Sequence, residues 1–236
     1  MAHSAMTVTS AVRAFWLTRD RQARKQKATG QRDQGARSAV TGGAQMDGFA
    51  DLVASVVNDS GGGKLALFRK QSVELPGFFR ATKEWDIMVK SGPRLVAVIE
   101  LKSHVGSFGN NFNNRAEEAI GSATDIWKAY REGAFGLQPE PWLGYLLLIE
   151  DSPQSRAPVK VKEPHFPVFP DFKDASYARR YEVLCRRLVL ERLYRSAAFL
   201  TSPAKEGRRG LYAGPVPQLS VKAFTDSLAA HCALHS

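Results

Sequence analysis

The sequence predicts a mixed α/β core, and three observations carry that prediction. Two neighbouring segments, 84–90 and 95–102, read as strands joined by a short turn. A third segment, Trp142 to Ile149, is apolar throughout and has the length of a strand buried on both faces. Around them lie stretches whose apolar residues recur every three or four positions, the period of a helix with one face inward. Helix, meandering strands, helix and strand in that order argue for a sheet covered by helices.

Taken in order, Thr7 to Lys27 reads as a helix, with Val8, Val12, Phe15 and Trp16 as its apolar stripe. A loop rich in Gly, Gln and Ser follows from Gly30 to Gly43. Gln45 to Val57 is a second helix, carrying Met46, Phe49, Leu52, Val53 and Val56 on one face, and Gly61-Gly62-Gly63 ends it. Those glycines do not make a phosphate loop: Asn58 stands where the first Gly is required, and Leu65 where a Ser or Thr is required. Leu65 to Phe68 and Ser72 to Leu75 are short strands leading to the central pair. Glu84 to Lys90 and Leu95 to Lys102 form that pair, turned by Ser91-Gly92-Pro93-Arg94. The polar run Ser103 to Arg115 reads as a loop, and a helix follows from about Arg115 to Arg131, with Ala119, Ile120, Ala123, Trp127 and Tyr130 as its stripe. After Trp142 to Ile149, a Pro-rich connection spans Pro153 to Phe172. A long helix is predicted from Ser176 to Ala198, with Tyr181, Leu184, Leu188 and Leu193 inward, and a terminal helix from Ser220 to Leu234. We expect one domain over 1–236: a basic N-terminal segment (1–43), a core (44–150), and the connection with C-terminal helices (151–236).

The central pair holds the chemistry. Side chains alternate faces along a strand, so Glu100 and Lys102 share one face while Leu95, Ala97, Ile99 and Leu101 take the other. On the first strand Trp85, Ile87 and Val89 point away from Asp86. Pairing the two therefore brings Asp86, Glu100 and Lys102 to one side. Two carboxylates and an ammonium at a strand end suit a Mg²⁺ site that hydrolyses phosphodiesters. A Glu-X-Lys triplet also occurs in strands where both residues simply meet water. Here, however, Val96 to Ile99 is apolar on both faces, and a buried strand ending in charges must find partners for them.

Composition limits the alternatives. A chain of 236 residues with a net charge of +10 is large enough for a full core and basic enough to favour a polyanion. Arg13, Arg19, Arg21, Arg24, Lys25, Lys27, Arg32 and Arg37 crowd the first forty residues. Arg179, Arg180, Arg186, Arg187, Arg192 and Arg195 form a second group, and Lys205, Arg208 and Arg209 a third. Phosphate neutralisation with counterion release is one use of such charge; a solvated helix face is the other. The longest apolar run is too short to cross a bilayer, so no membrane association is expected. Cys185 and Cys232 are far apart, which points to no disulfide framework and to a reducing cytoplasm.

Other catalytic classes lack their residues. There is no Cys-X-X-Cys and no Gly-X-Ser-X-Gly elbow. His165, His231 and Cys232 read as structural. Ser103, His104, Asn110, Asn111, Asn113, Asn114 and Arg115 lie just past the suspected catalytic strand. Asn can bond bidentately to adenine and Arg to guanine in the major groove, although Asn and Gly are also ordinary loop residues.

Asp86 with Glu100-Leu101-Lys102 resembles the PD-(D/E)XK nuclease signature, with Trp85 where that pattern often has Pro. Further motifs are similar to the XhoI-type restriction endonucleases. They include Thr41-Gly42-Gly43 with Met46-Asp47-Gly48-Phe49, and Gly109-Asn110-Asn111-Phe112-Asn113-Asn114-Arg115 with Glu117-Glu118-Ala119-Ile120-Gly121. Ala129 to Gly136, Pro164 to Pro170 and Asp174-Ala175-Ser176-Tyr177 extend the match over nearly the whole chain. The resemblance implies a restriction-endonuclease-like core, a central mixed sheet flanked by helices. It also implies Mg²⁺-dependent double-strand cutting of palindromic duplex DNA, at CTCGAG with 5′ overhangs. A two-fold homodimer and a cognate DNA methyltransferase as functional partner would go with it. In this reading Asp86 and Glu100 hold the metal with the Leu101 carbonyl, Lys102 orients or deprotonates water, and Ser103, His104, Asn110, Asn111, Asn113, Asn114 and Arg115 meet DNA. Asp47 is a further carboxylate that could join, though a helix N-terminus explains it as well. Two alternatives stay open: a structure-selective repair or junction nuclease of the same fold, and a DNA-binding protein without catalysis.

Overall fold

In the computed structural model, which describes residues 7–28 and 43–236, the apolar periodicities become two helical layers around one sheet. The loop expected at Gly30–Gly43 lies outside the described residues except for Gly43. The same holds for Met1 to Ala5, Arg32, Arg37, Thr41 and Gly42, and for the side chain of Lys27.

Helix α1 (Val8–Ala28) starts at a reciprocal cap, in which Ser10 N–H donates to the Thr7 hydroxyl at 3.1 Å and Thr7 N–H to the Ser10 hydroxyl at 2.9 Å. Its stripe of Ala11, Val12, Phe15 and Trp16 is buried. A 3₁₀ turn, Ala44–Met46, leads into α2 (Asp47–Ser60), which buries Phe49, Leu52, Val53 and Val57. The two helices cross closely at Gly48, where an added Cβ would lie 3.0 Å from the Ala11 Cα.

The strands are β1 (Ala66–Arg69), β2 (Glu74–Pro76), β3 (Thr82–Glu84), β4 (Ile87–Ser91), β5 (Arg94–His104), β6 (Trp142–Glu150) and β7 (Ser196–Ser202). Five form the central mixed sheet in the order β1-β4-β5-β6-β7. The first three of these run antiparallel to their neighbours, whereas β5, β6 and β7 are parallel. Strands β2 and β3 make a separate antiparallel pair. The parallel strands need crossovers. Helix α3 (Phe108–Arg131) lies between β5 and β6 in the chain; a short α4 (Pro153–Arg156) and then α5 (Tyr177–Leu190) lie between β6 and β7. A short α6 (Ala204–Gly207) follows, and α7 (Val221–His235) closes the chain.

Each face of the sheet takes alternate residues. Ile87, Val89, Ala97, Ile99, Leu146, Leu148, Ala198 and Leu200 pack with α1, α2 and α7. Met88, Val98, Leu143, Tyr145, Leu147, Ala197 and Phe199 pack with α3 and α5. Strands β5 and β6 are covered on both faces, as their apolar runs predict.

Several expectations need correction. The 84–90 segment is not one strand: it breaks at Trp85-Asp86, with β3 in the small sheet and β4 in the large one. Trp85 therefore does not share a face with Ile87 and Val89; it is buried on the α3 side, with Leu75 and Met88. Leu95 also changes sides. The register of β4 on β5 shifts between Val89 and Lys90, so that Val96 has no opposite number and Leu95 joins Val98 rather than Ala97. The segment expected to be a loop up to Arg115 is mostly helix, because Phe108 and Phe112, four residues apart, both pack on Tyr181 or its neighbour Tyr177. Finally, the long helix expected to reach Ala198 stops at Leu190. Arg192 adopts a left-handed turn with φ of 56°, and Ser196–Ser202 is the edge strand β7.

Four arginines of the second basic group and one of the third are engaged within the molecule. Arg179 and Arg187 each reach Asp171 at 3.1 Å, Arg186 reaches Glu182 at 2.9 Å, and Arg180 donates to the carbonyls of Ala175 and Val159. Arg179, Arg180 and Arg187 thereby hold the Pro-rich connection against α5. Arg208 grips Asp20 through two nitrogens at 2.6 and 2.8 Å, tying α6 to α1.

Candidate active site

The hairpin places the three predicted residues together. Because Ile87 pairs with Ile99, Asp86 arrives beside Glu100 as the chain enters β4. The Leu101 N–H donates to the Asp86 Oδ2 at 2.7 Å, and the Lys102 Nζ stands 4.0 Å from that same oxygen. Lys102 is also ion-paired to the Glu100 Oε1. Glu100 is buried, with 5% of its side chain exposed, while Asp86 keeps 40% and forms the open side of the group.

A fourth residue completes it. Lys83, on β3 of the small sheet, donates to the Glu100 Oε2 at 2.8 Å and to the Glu84 carbonyl at 2.8 Å. Its ammonium lies 4.2 Å from the centre of the Trp85 ring, which gives the cation an aromatic face. The strand reading missed Lys83, since the break at Trp85 puts it on another sheet. The only trace in the sequence is that a buried Glu next to one lysine leaves its second oxygen in need of a donor.

The electrostatics follow from this packing. Burial alone would raise the Glu100 pKa, but Lys102 and Lys83 outweigh it and hold the carboxyl below its usual range. Asp86 goes the other way: desolvation, joined by the Glu100 charge, raises its pKa above the ordinary carboxylate value despite Lys102 and the Leu101 N–H. Desolvation opposes the charge on Lys102, yet Glu100 and Asp86 prevail and its pKa is raised, so the ammonium is retained at neutral pH.

The DNA-facing expectations fall on three kinds of position. Asn111, Asn113 and Asn114 are exposed on the first turns of α3, and the Asn111 amide donates to the Ser107 carbonyl at 3.2 Å. The side chain of Asn110 lies outside the described set. Arg115 pairs with Glu118 at 2.7 Å and sits close enough to the triad for its charge to oppose those of Lys102 and His104. Ser103 is half-buried at the end of β5. His104 is buried against Phe108, with its Nδ1 hydrogen-bonded to the Tyr181 hydroxyl, and burial lowers its pKa to about 4. A neutral, enclosed imidazole braces the α3 start rather than offering an edge to DNA.

The oxygen donors suit a hard divalent cation. Two carboxylates and the Leu101 carbonyl are the ligand types that Mg²⁺ takes, and Mg²⁺ fills its remaining positions with water. No group of three or more His, Cys, Asp and Glu side chains is gathered among the described residues, which leaves a site with few protein ligands. Asp47 does not join it: α2 packs on the opposite face of the sheet, and Asp47 is paired with Lys70 at 2.8 Å.

A mixed sheet flanked by helices, with an acidic pair and a lysine on its central hairpin, defines a nuclease of the PD-(D/E)XK class. A family model described as restriction endonuclease XhoI matches residues 25–214. The chain is 54% identical to the type II restriction enzyme BstVI of Geobacillus stearothermophilus over 208 residues, covering 86% of this chain and 93% of that enzyme. It is 53% identical to the type II restriction enzyme XhoI of Xanthomonas vasicola over 160 residues, or 66% of this chain and 64% of that enzyme. It is 48% identical to AbrI of Azospirillum brasilense over 157 residues, 66% of this chain and 70% of that enzyme. No solved structure matches the chain. The chain belongs to the XhoI family of restriction endonucleases: it is a type II site-specific deoxyribonuclease, acting on double-stranded DNA. That identity sets aside both a junction nuclease and a catalytically silent binder. Enzymes of this type generally need a divalent metal, and no described helix is long and apolar enough to cross a membrane.

Proposed function

We propose that this enzyme cuts both strands of the palindrome CTCGAG in a Mg²⁺-dependent reaction, leaving 5′ overhangs. The observation that carries the catalytic assignment is Lys102, whose ammonium touches Glu100 and stands 4.0 Å from Asp86. Asp86, Glu100 and the Leu101 carbonyl would hold the cation. When bound, such a cation offsets charge on phosphate and acidifies water.

The chain's own groups supply the rest. The Leu101 N–H fixes Asp86, leaving its other oxygen open towards solvent. Lys83 and Lys102 keep Glu100 ionised in a buried position. Lys102, which carries its proton beside Glu100 and Asp86, would orient the attacking water and counter charge growing on the phosphate.

Sequence readout falls to the exposed start of α3. Asn111, Asn113 and Asn114 project there beside Arg115 and near the triad, with Asn110 one position earlier. A helix end of this kind can enter a major groove. Ser103, at the exit of β5, is placed to meet the backbone. A palindromic target calls for a two-fold homodimer, one triad per strand. Restriction chemistry in the cytoplasm further requires a methyltransferase of the same specificity to protect host DNA.

Digestion of two plasmids that differ only by one CTCGAG site, in Mg²⁺ and in EDTA, tests the reading. Linearisation of the site-bearing plasmid alone, with metal only, is the expected result. Cutting of both plasmids would move the target elsewhere, and sequencing the ends would name it.

A further inference from the structure

The small sheet does more than deliver Lys83. Its hairpin turns through Gly77-Phe78-Phe79-Arg80-Ala81 and presents two large aromatics outward: Phe79 is 70% exposed and Phe78 47%. Isolated exposed apolar residues are common, but this pair sits on a turn that the protein holds rigidly. Asp125, buried within α3, accepts the Phe78 and Phe79 N–H groups on Oδ1, both at 2.8 Å, and the Arg80 Nε on Oδ2 at 2.7 Å. Gly77 closes the turn, and an added Cβ there would lie 2.5 Å from the same Oδ2. A buried carboxylate committed wholly to one surface turn is a device for fixing what that turn displays.

We infer that the Phe78-Phe79-Arg80 tip is a DNA wedge, with Phe79 entering the duplex beside the cleaved phosphate. The inference rests on the reading that Asp86, Glu100 and Lys102 form the cutting site. Three observations favour DNA as the occupant. Phe79 is four residues from Lys83, whose ammonium bonds Glu100, so the chain keeps the two Cα atoms within about 14 Å of each other. Two cations flank the tip, each also ion-paired: Lys128, bonded to Glu132, lies 4.8 Å from the Phe78 ring centre, and Arg80, bonded to Asp125, keeps 45% of its side chain in solvent. Phe79 packs edge-on against Phe78 at 5.1 Å, which stiffens the ring while leaving its outer face free for a base. Apolar wedges of this kind unstack a base step and bend the duplex, most readily at a pyrimidine–purine step.

The test uses a duplex that the wild-type enzyme cuts, established from the plasmid ends, so a different target does not blunt it. Adenines in that site are replaced one at a time by 2-aminopurine, and the full-length protein is bound in Ca²⁺. Fluorescence should rise at one position with the wild type and with Phe79→Trp, and stay flat with Phe79→Ala. Cutting by Phe79→Ala should be about tenfold slower, the scale of one lost base-stacking contact. A flat signal at every adenine with the wild type, together with wild-type cutting by Phe79→Ala, would overturn the inference. So would a Phe79→Ala protein that sediments as a monomer where the wild type is a dimer, since the tip would then be a contact between copies.

Discussion

Lys83 and Glu100 stand on different sheets, 17 residues apart in sequence, and meet through a 2.8 Å ion pair. Both Glu100 oxygens are thereby held by lysines, Oε2 by Lys83 and Oε1 by Lys102. Strand β5 does not stabilise its buried carboxylate alone; a neighbouring hairpin shares the task. With Asp86 4.0 Å from Lys102, the cluster sets two lysines against two carboxylates.

Lys83→Ala should shift the acid limb of the cutting profile to higher pH. Glu100 has a folded pKa below its unfolded value, so its contribution to stability is present above the unfolded pKa and fades as pH falls through the folded one. Removing Lys83 raises the folded pKa and starts that loss at higher pH. Cutting at neutral pH should fall on the order of tenfold, the scale of one charge-assisted contact, and Lys83→Arg should restore most of it. A pH–rate series for the three proteins checks this; superimposed profiles would remove Lys83 from the site.

Lys102→Ala should slow cutting by at least about a hundredfold while leaving site-specific binding within a few-fold of normal. Gel shift on cognate duplex and a cleavage time course report the two effects separately. Cutting at the wild-type rate would sink the triad.

Asp86→Asn should be inactive yet more heat-stable than the wild type near neutral pH. The Asp86 folded pKa is raised, so the carboxyl favours folding fully below its unfolded pKa and loses that advantage as pH rises through the folded value. The amide removes the charge but keeps an acceptor for the Leu101 N–H. Solvent screens part of the strain at this half-open side chain. Each kcal/mol relieved should raise Tm by about 2–4 °C in a chain of this size. The advantage should shrink in a calorimetric series taken down towards the carboxylate range. A lower Tm at neutral pH would contradict the electrostatic account.

Asn114→Ala should reduce discrimination between cognate and random duplex by about tenfold, with non-specific affinity nearly unchanged. Competition binding measures the ratio directly. Equal losses on both duplexes would reduce Asn114 to a surface position of α3.

Only part of the triad was legible from a short-range rule. Alternation set Glu100 beside Lys102, but Asp86 reaches them because the register of β4 on β5 shifts between Val89 and Lys90, which pairs Ile87 with Ile99. What escaped depended on tertiary packing. Leu95 changed face at a bulge that no local pattern marks. The start of α3 was hidden by Asn and Gly, poor helix formers whose preference yields to Phe108 and Phe112 packing beneath them. Strand β7 begins with Ser196-Ala197-Ala198, which suits a helix as well as a strand, and the turn before it uses Arg192 where a glycine would have signalled a break. Lys83 was lost with the assumption that 84–90 is continuous. The N-terminal motif Thr41-Gly42 lies outside the described residues.

The position of β5 in the sheet has a consequence for when the enzyme becomes dangerous to its host. Every proposed catalytic group lies between residues 83 and 102, but Lys102 pairs with Leu147, and β6 pairs in turn with β7 at 196–202. During synthesis the cutting residues leave the ribosome long before the strands that flank and cover them. Parallel partners so distant in sequence assemble slowly, because the intervening chain must be closed first. An unfinished polypeptide therefore carries the proposed reactive set without the frame that aligns it, and the genome meets an active blade only once β7 has been made and has docked.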